Sequence, residues 1–240
     1  MPSTVHTDQL SIRISLSNTI RFLVILVFTL SMLSNLGYFS KYVLGHGRLL
    51  GIIYQFDLNQ EGNIVTFLSA VLILIASLLL LVIAVSTKKR QAKFQNHWWF
   101  LSALFAYIAV DEAAELHERL SDPIKDAWGT ISWFYFAWVI PAFLILIVLA
   151  ILFYRFYMHL PRQTQIYFII SGSMYLGGAL LVEMIGGSFA FQYGMDNLTF
   201  GLLSTFEETM ELLGVSIFIF ALLKFIEQNI TPTIKFKLGK

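Results

Sequence analysis

Five ionisable side chains fall within eight residues at the end of one apolar run, in the segment 111–118 with the sequence DEAAELHE. A second acidic segment, EETME at 207–211, lies inside another apolar run, and Glu183 lies alone in a third. A charged side chain at membrane depth costs on the order of 3 kcal/mol, so such residues are rarely idle. The candidate cation-binding residues are therefore Asp111, Glu112, Glu115, His117, Glu118, Glu183, Glu207, Glu208 and Glu211.

The composition places these acids in a membrane protein. Of the 240 residues, 57% are hydrophobic and only 13% are charged, whereas soluble domains carry about 25% charged residues. The net charge of +1 gives no electrostatic reason to expect nucleic acid as a partner. Cysteine is absent, which excludes a thiolate nucleophile and a thiolate metal site.

The elements that must position the acids are six apolar runs, each close to the about 20 residues that span a bilayer as a helix. They predict an all-α, polytopic membrane protein with one bundle over residues 20–226 and short tails at 1–19 and 227–240. The predicted spans are Ile20–Phe39, Ile64–Val85, Trp98–His117, Ile131–Phe153, Ile166–Phe189 and Phe200–Ile226.

Basic residues predict the orientation of the bundle. Twelve of the 16 Lys and Arg residues lie on the two tails and on alternate loops, and such segments face the cytoplasm. Both termini are thus expected in the cytoplasm, as an even number of spans requires. We expect the plasma membrane of a bacterium, membrane lipids as partners, and a possible homo-oligomer or larger membrane complex.

This orientation brings all three acidic segments to the outer half of the bundle. At about 100° per residue, Asp111, Glu115 and Glu118 share one helix face, and Glu112 lies at its edge. Glu207, Glu208 and Glu211 fill a similar arc on the sixth span. His117 falls about 130° from the centre of the acidic face. If His117 is to join the acids, either the helix must loosen there or the side chain must reach in from the membrane interface.

Eight carboxyl groups could meet in this region, and no Lys or Arg lies at the same predicted depth. Like charges crowded in a medium of low dielectric constant cannot all stay ionised. Neutralisation must come from protons, from bound cations or from both. Asp57 and Glu61 precede the second span; they could extend the acidic mouth, or could simply favour the helix N-terminus.

A divalent metal cation of unknown identity is the main hypothesis for the cofactor. Carboxylate oxygens suit Mg²⁺, Ca²⁺ and Mn²⁺, and one imidazole extends the choice to iron or zinc. A di-iron bundle would use Glu-x-x-His motifs, which the chain lacks. Protonated carboxylates on an ion path and a purely structural polar network are the two alternatives.

The three interpretations of the acidic cluster correspond to three classes of function. The first is a metal-dependent enzyme that acts on a lipid-like substrate, since an outer-leaflet site is within reach of lipids. The second is a proton- or cation-coupled transporter, although the inner halves of the spans offer few polar residues. The third is a structural or accessory membrane subunit whose acids fix the pairing of helices.

Overall fold

The computed structural model describes residues 10–12, 15–47, 51–230 and 234–236, and the described chain is a bundle of helices. The helices are α1 (Leu16–Tyr42), α2 (Ile52–Phe56), α3 (Ile64–Lys89), α4 (Gln95–Ala114), α5 (Ser121–Trp128), α6 (Val139–His159), α7 (Arg162–Leu176), α8 (Glu183–Tyr193) and α9 (Leu198–Asn229). A π-helical segment, Gly177–Val182, joins α7 to α8 without a break. Two short 3₁₀ turns cover Glu118–Leu120 and Ser132–Phe134.

Local signals set several helix ends. Ser15, Asn63 and Asn197 cap α1, α3 and α9 by accepting backbone N–H bonds in the first turn, which satisfies donors that a helix start leaves unpaired. After α5 and α8, Gly129 and Gly194 adopt positive φ angles of 78° and 76°, a conformation that glycine takes at little cost.

Five continuous helical segments are long and apolar enough to cross a membrane, and they identify an all-α membrane protein: Leu16–Tyr42, Ile64–Lys89, Val139–His159, Arg162–Tyr193 and Leu198–Asn229. The remaining predicted span corresponds to α4, whose 20 residues extend about 30 Å. Two predicted spans include residues outside their helices, whereas the other four lie within helical segments that extend up to four residues further at an end. The third span ends at Ala114 rather than His117, because Glu115 leaves the helix, and the fourth begins at Val139 rather than Ile131.

Hydrogen bonds from polar side chains join neighbouring helices. Ser77 and Ser102 each donate to the other's backbone carbonyl, which links α3 to α4. The Ser31 and Ser34 hydroxyls bond those of Thr209 and Thr205, at 2.6 and 3.0 Å, which links α1 to α9. Such bonds satisfy hydroxyl groups that lipid cannot.

The two ends of the described chain meet on one side of the bundle. Strand β1 (Leu10–Ile12) pairs antiparallel with strand β2 (Ile234–Phe236). On the same side, the Arg90 guanidinium donates to the carbonyls of Asn229 and Ile230, which joins the end of α3 to the end of α9. The first and last described segments of the chain therefore lie on the same side of the bundle.

Helix α6 stands apart from the rest of the bundle. In its most apolar stretch only 11% of residues are buried, compared with 61% in α9, and its backbone makes few close contacts with other helices. The space between α6 and its neighbours is a cavity of about 1050 Å³. This cavity contains the acidic side chains.

Candidate functional site

The cavity has a polar end and an apolar end. Its polar end, opposite the termini, is lined by eight carboxyl groups: Glu61, Asp111, Glu112, Glu118, Glu183, Glu207, Glu208 and Glu211. Below them, the wall is formed by aliphatic and aromatic side chains. On α6 these recur at helical spacing, at Ala142, Ile145, Leu146, Leu149, Ala150, Phe153 and Phe156.

The cavity is not sealed on the lipid-facing side. A smaller cavity of about 510 Å³ lies between α6 and α7 and shares five lining residues with the larger one: Leu146, Phe168, Gly172, Leu176 and Leu180. The lipid-facing residues Ile151 and Leu152 of α6 are 71% and 62% exposed. The apolar chamber therefore adjoins a second cavity between α6 and α7.

The end of α4 turns back to bring His117 beside Asp111. Glu115 adopts a left-handed conformation with φ of 54°, which is uncommon for a residue other than glycine, and it terminates the helix. The Asp111 carboxylate then accepts from the backbone N–H of His117 and contacts its ring Nδ1, both at 2.9 Å. The helix thus ends before His117, which is the first of the two routes by which this residue could join the acids.

Trp138 links this turn to Glu183. Its indole Nε1–H donates to the Glu183 carboxylate at 3.1 Å, and its ring contacts the His117 imidazole with centroids 4.5 Å apart. The backbone N–H of Trp138 donates to the Ser121 hydroxyl, which fixes the start of α6. One tryptophan thus connects the acids of α4 and α8.

A glycine lets the π-helical segment approach the acids of α9. A Cβ atom on Gly178 would lie 2.8 Å from the Glu207 carbonyl and 3.0 Å from Cγ of Glu211. The one-residue widening of a π-turn is common at functional sites, and this one immediately precedes Glu183. As a result Glu183 and Glu207 are close enough for their carboxyl groups to interact.

Two further acids have polar neighbours on other helices. Glu112 on α4 lies close to Ser69 on α3, and Glu211 on α9 lies close to Tyr175 on α7. Tyr175 also lines the cavity. The polar surface therefore combines side chains from α3, α4, α7, α8 and α9 and from the segment just before α6.

Glu61 joins the cluster from the loop between α2 and α3. Burial, reinforced by the nearby Glu112 and Glu118 carboxylates, raises the pKa of Glu61 to about 7. The suggestion that Glu61 extends the acidic mouth is thus consistent with its position. Asp57 instead accepts from the Tyr38 hydroxyl at 2.6 Å and has a structural role in joining α1 to the loop.

The structure brings together eight of the nine predicted site residues: Asp111, Glu112, His117, Glu118, Glu183, Glu207, Glu208 and Glu211. Glu115 does not line the cavity, because its left-handed backbone takes it out of the helical face that the periodicity assigned to it. The sequence did not identify Trp138 and Tyr175 as site residues, because an aromatic residue near a helix end is typical of any membrane protein.

The geometry limits what kind of cation the site could hold. Within residues 15–47 and 51–230, no three His, Asp or Glu side chains converge closely enough to bind a metal ion. The carboxyl groups that line the cavity instead come from separate segments of the chain, and those of α9 alone are distributed over about 6 Å of the helix axis, from Glu207 to Glu211.

The ionisation of Glu61 is expected to lower the stability of the fold as the pH rises. Because its pKa is higher in the folded chain than in a model peptide, the folded state binds this proton more tightly than the unfolded state. The stabilisation is complete below the unfolded pKa of about 4.3 and is lost as the pH passes about 7. In the wild type, the free energy of unfolding should decrease by about 1–2 kcal/mol between pH 5 and pH 8, after allowance for partial solvent screening. Glu61→Gln should abolish this decrease.

Denaturant unfolding of the purified protein in detergent, at both pH values, would measure this difference. Glu227→Gln is the matched control, because Glu227 is exposed near the end of α9. An equal pH dependence in wild type and Glu61→Gln would contradict the prediction.

Comparison with known proteins identifies the family of this chain. The family described as "Domain of unknown function (DUF8692)" matches residues 20–225. No curated protein and no solved structure matches the chain. Because the match covers the whole helical bundle, the chain belongs to the DUF8692 family.

Proposed function

We propose that this integral membrane protein binds a lipid-like amphiphile within the bilayer. The apolar part of the ligand would occupy the chamber beside α6, and its polar head would lie at the carboxyl groups, where a cation neutralises them. The observation that carries the proposal is one continuous cavity with an acidic end and an apolar end. A structural role alone would be served better by a packed interior, since empty space in a core is destabilising.

Two features support the acyl-chain part of this proposal. The α6 wall of the chamber is aliphatic and aromatic from Ala142 to Phe156, a length of about 21 Å along the helix axis. The adjoining cavity between α6 and α7 gives a chain a route from the bilayer. Since this half of the cavity is apolar, a water path for a transported ion is less well supported.

The positive charge at the polar end could come from protons, a divalent metal or the ligand itself. The spread of the carboxyl groups and the missing three-ligand arrangement among the described residues favour protons or a ligand charge over a metal. The basic residues of the tails and alternate loops support an orientation with both termini in the cytoplasm, as in the plasma membrane of a bacterium.

Hydrolysis of the bound lipid is a second candidate function, favoured by the pairing of Asp111 with His117. A carboxylate that accepts from Nδ1–H leaves Nε2 as the basic nitrogen of the imidazole, and both residues line the cavity. Such a pair could act as a general base toward water. The reaction would then occur where the polar head of the ligand meets the acids.

Filling the chamber should displace the bound lipid. Ala142 lines the cavity, so the phenyl group of Ala142→Phe would occupy the space of the acyl chain. We expect wild-type protein purified in mild detergent to retain a lipid-like molecule, detected by native mass spectrometry. The retained fraction should decrease at least about tenfold in the variant, which corresponds to about 1.4 kcal/mol of binding free energy.

Leu144→Phe is the matched control, since Leu144 lies on the same turn but is 63% exposed on the lipid-facing side. Equal retention in Ala142→Phe and Leu144→Phe would overturn the proposal. Inspection of the retained molecules for shortened cleavage products, with His117→Gln as comparison, tests the hydrolytic candidate in the same sample.

A further inference from the structure

The polar end of the cavity carries many more acidic than basic side chains. Eight carboxyl groups line it, and the lining residues include His117 but neither Lys nor Arg. The Lys41–Asp196 ion pair lies at the surface, where Asp196 is 85% exposed. An anionic head group would thus meet acidic side chains on most sides, with His117 as the one side chain of the described lining that can carry a positive charge.

Glu208 is the acid whose surroundings point most directly to a ligand. It lies on α9, is half-buried and lines the cavity. Asp111, Glu183 and Glu211 have polar neighbours in His117, Trp138 and Tyr175. Among the residues that the structure describes, no donor forms a hydrogen bond with Glu208, so its carboxyl group is available to a ligand in the cavity.

Aromatic rings line the same end of the cavity. Trp138 donates to Glu183, Tyr175 on α7 lies close to Glu211 on α9, and both rings line the cavity. The faces of such rings attract organic cations, and carboxylates add charge-assisted hydrogen bonds where the cation carries N–H groups. A metal ion would not use these rings, whereas an ammonium group would use both kinds of partner.

We propose that the ligand is a cationic amphiphile, with a protonated amine as its head group and an apolar chain in the chamber beside α6. The ammonium group would contact Glu208 and share the aromatic wall formed by Trp138 and Tyr175. The inference rests on the proposed function, since it assigns the charge of the head group of the ligand bound there. It also accounts for the spread of the acids, because an organic head group is larger than a metal ion.

Three amphiphiles with the same chain test the head group: hexadecylamine, which is protonated at neutral pH, hexadecanol and hexadecanoic acid. Binding would be measured on the full-length protein in lipid nanodiscs by displacement of a fluorescent long-chain amine. We expect hexadecylamine to bind at least about tenfold more tightly than hexadecanol, and hexadecanoic acid to bind more weakly than both. This comparison in the wild-type protein needs no variant.

Glu208→Gln removes the charge at nearly constant volume and should bring hexadecylamine to the affinity of hexadecanol. Glu227→Gln, an exposed acid on the same helix, should leave the preference for the amine unchanged. Equal binding of the three amphiphiles, all weakened by Ala142→Phe, would overturn the head-group inference and leave the proposed function intact. No binding of any amphiphile, or binding that Ala142→Phe leaves unaffected, would overturn both.

Discussion

Gly214→Ala is expected to destabilise the bundle by about 2–3 kcal/mol, near the upper end of the range for overpacking a core. A Cβ atom at this position would lie 2.7 Å from the backbone N of Tyr175 and 2.9 Å from the Ser171 carbonyl. Both neighbours are backbone atoms of α7, so no side-chain rotation could relieve the clash. The two helices would have to separate.

The separation should also affect the site, because Tyr175 contacts Glu211 from the opposing helix. Gly172→Ala is the matched control: a Cβ there would meet no atom within 4 Å. Since alanine favours a helix by about 1 kcal/mol over glycine, Gly172→Ala should be neutral or stabilising. Denaturant unfolding in detergent compares the two variants, and equal stability would show that α7 and α9 do not pack as described.

Asp111→Ala is expected to cost about 3–4 kcal/mol, because a single carboxylate holds the whole turn after α4. Its two oxygens contact the backbone N–H and the ring Nδ1 of His117, and hydrogen bonds to a charged group contribute about 1.5–3 kcal/mol each. The alanine variant would lose both bonds and leave the backbone N–H of His117 without its acceptor.

Two companion variants separate these contributions. His117→Ala loses the ring contact only, and Asp111→Asn keeps an oxygen that can accept from the backbone N–H. Each should cost about half as much as Asp111→Ala, again by denaturant unfolding in detergent. If His117→Ala were as damaging as Asp111→Ala, the backbone bond would contribute nothing, and the explanation for the left-handed Glu115 would fail.

Both sets of variants concern how the bundle builds its polar surface. Glu183 and Glu207 approach each other because Gly178 leaves room at the π-helical segment. His117 reaches Trp138 because α4 ends early. The acids are therefore positioned by specific backbone features on α4, on α9 and between α7 and α8. Substitutions at those features should alter ligand binding even where no carboxyl group is changed.

The sequence alone determined the class of fold and most of the acidic residues of the site. Apolar runs of about 20 residues have few alternatives to membrane helices, because backbone polar groups must be satisfied within each segment. Charged residues inside such runs are costly, so Glu183, Glu207, Glu208 and Glu211 could be selected by their position in the chain. The helical period then placed the acids of α9 on one face.

Only the tertiary structure decided how these residues meet. The left-handed turn at Glu115 returns His117 to Asp111 and removes Glu115 itself, and no local pattern distinguishes that turn from a continued helix. Glu61, Trp138 and Tyr175 come from separate segments, so their contacts depend on long-range packing. The cavity has the same origin: it exists because α6 does not close against the bundle, and the distance between two helices is a property of their combined surfaces that neither sequence segment carries alone.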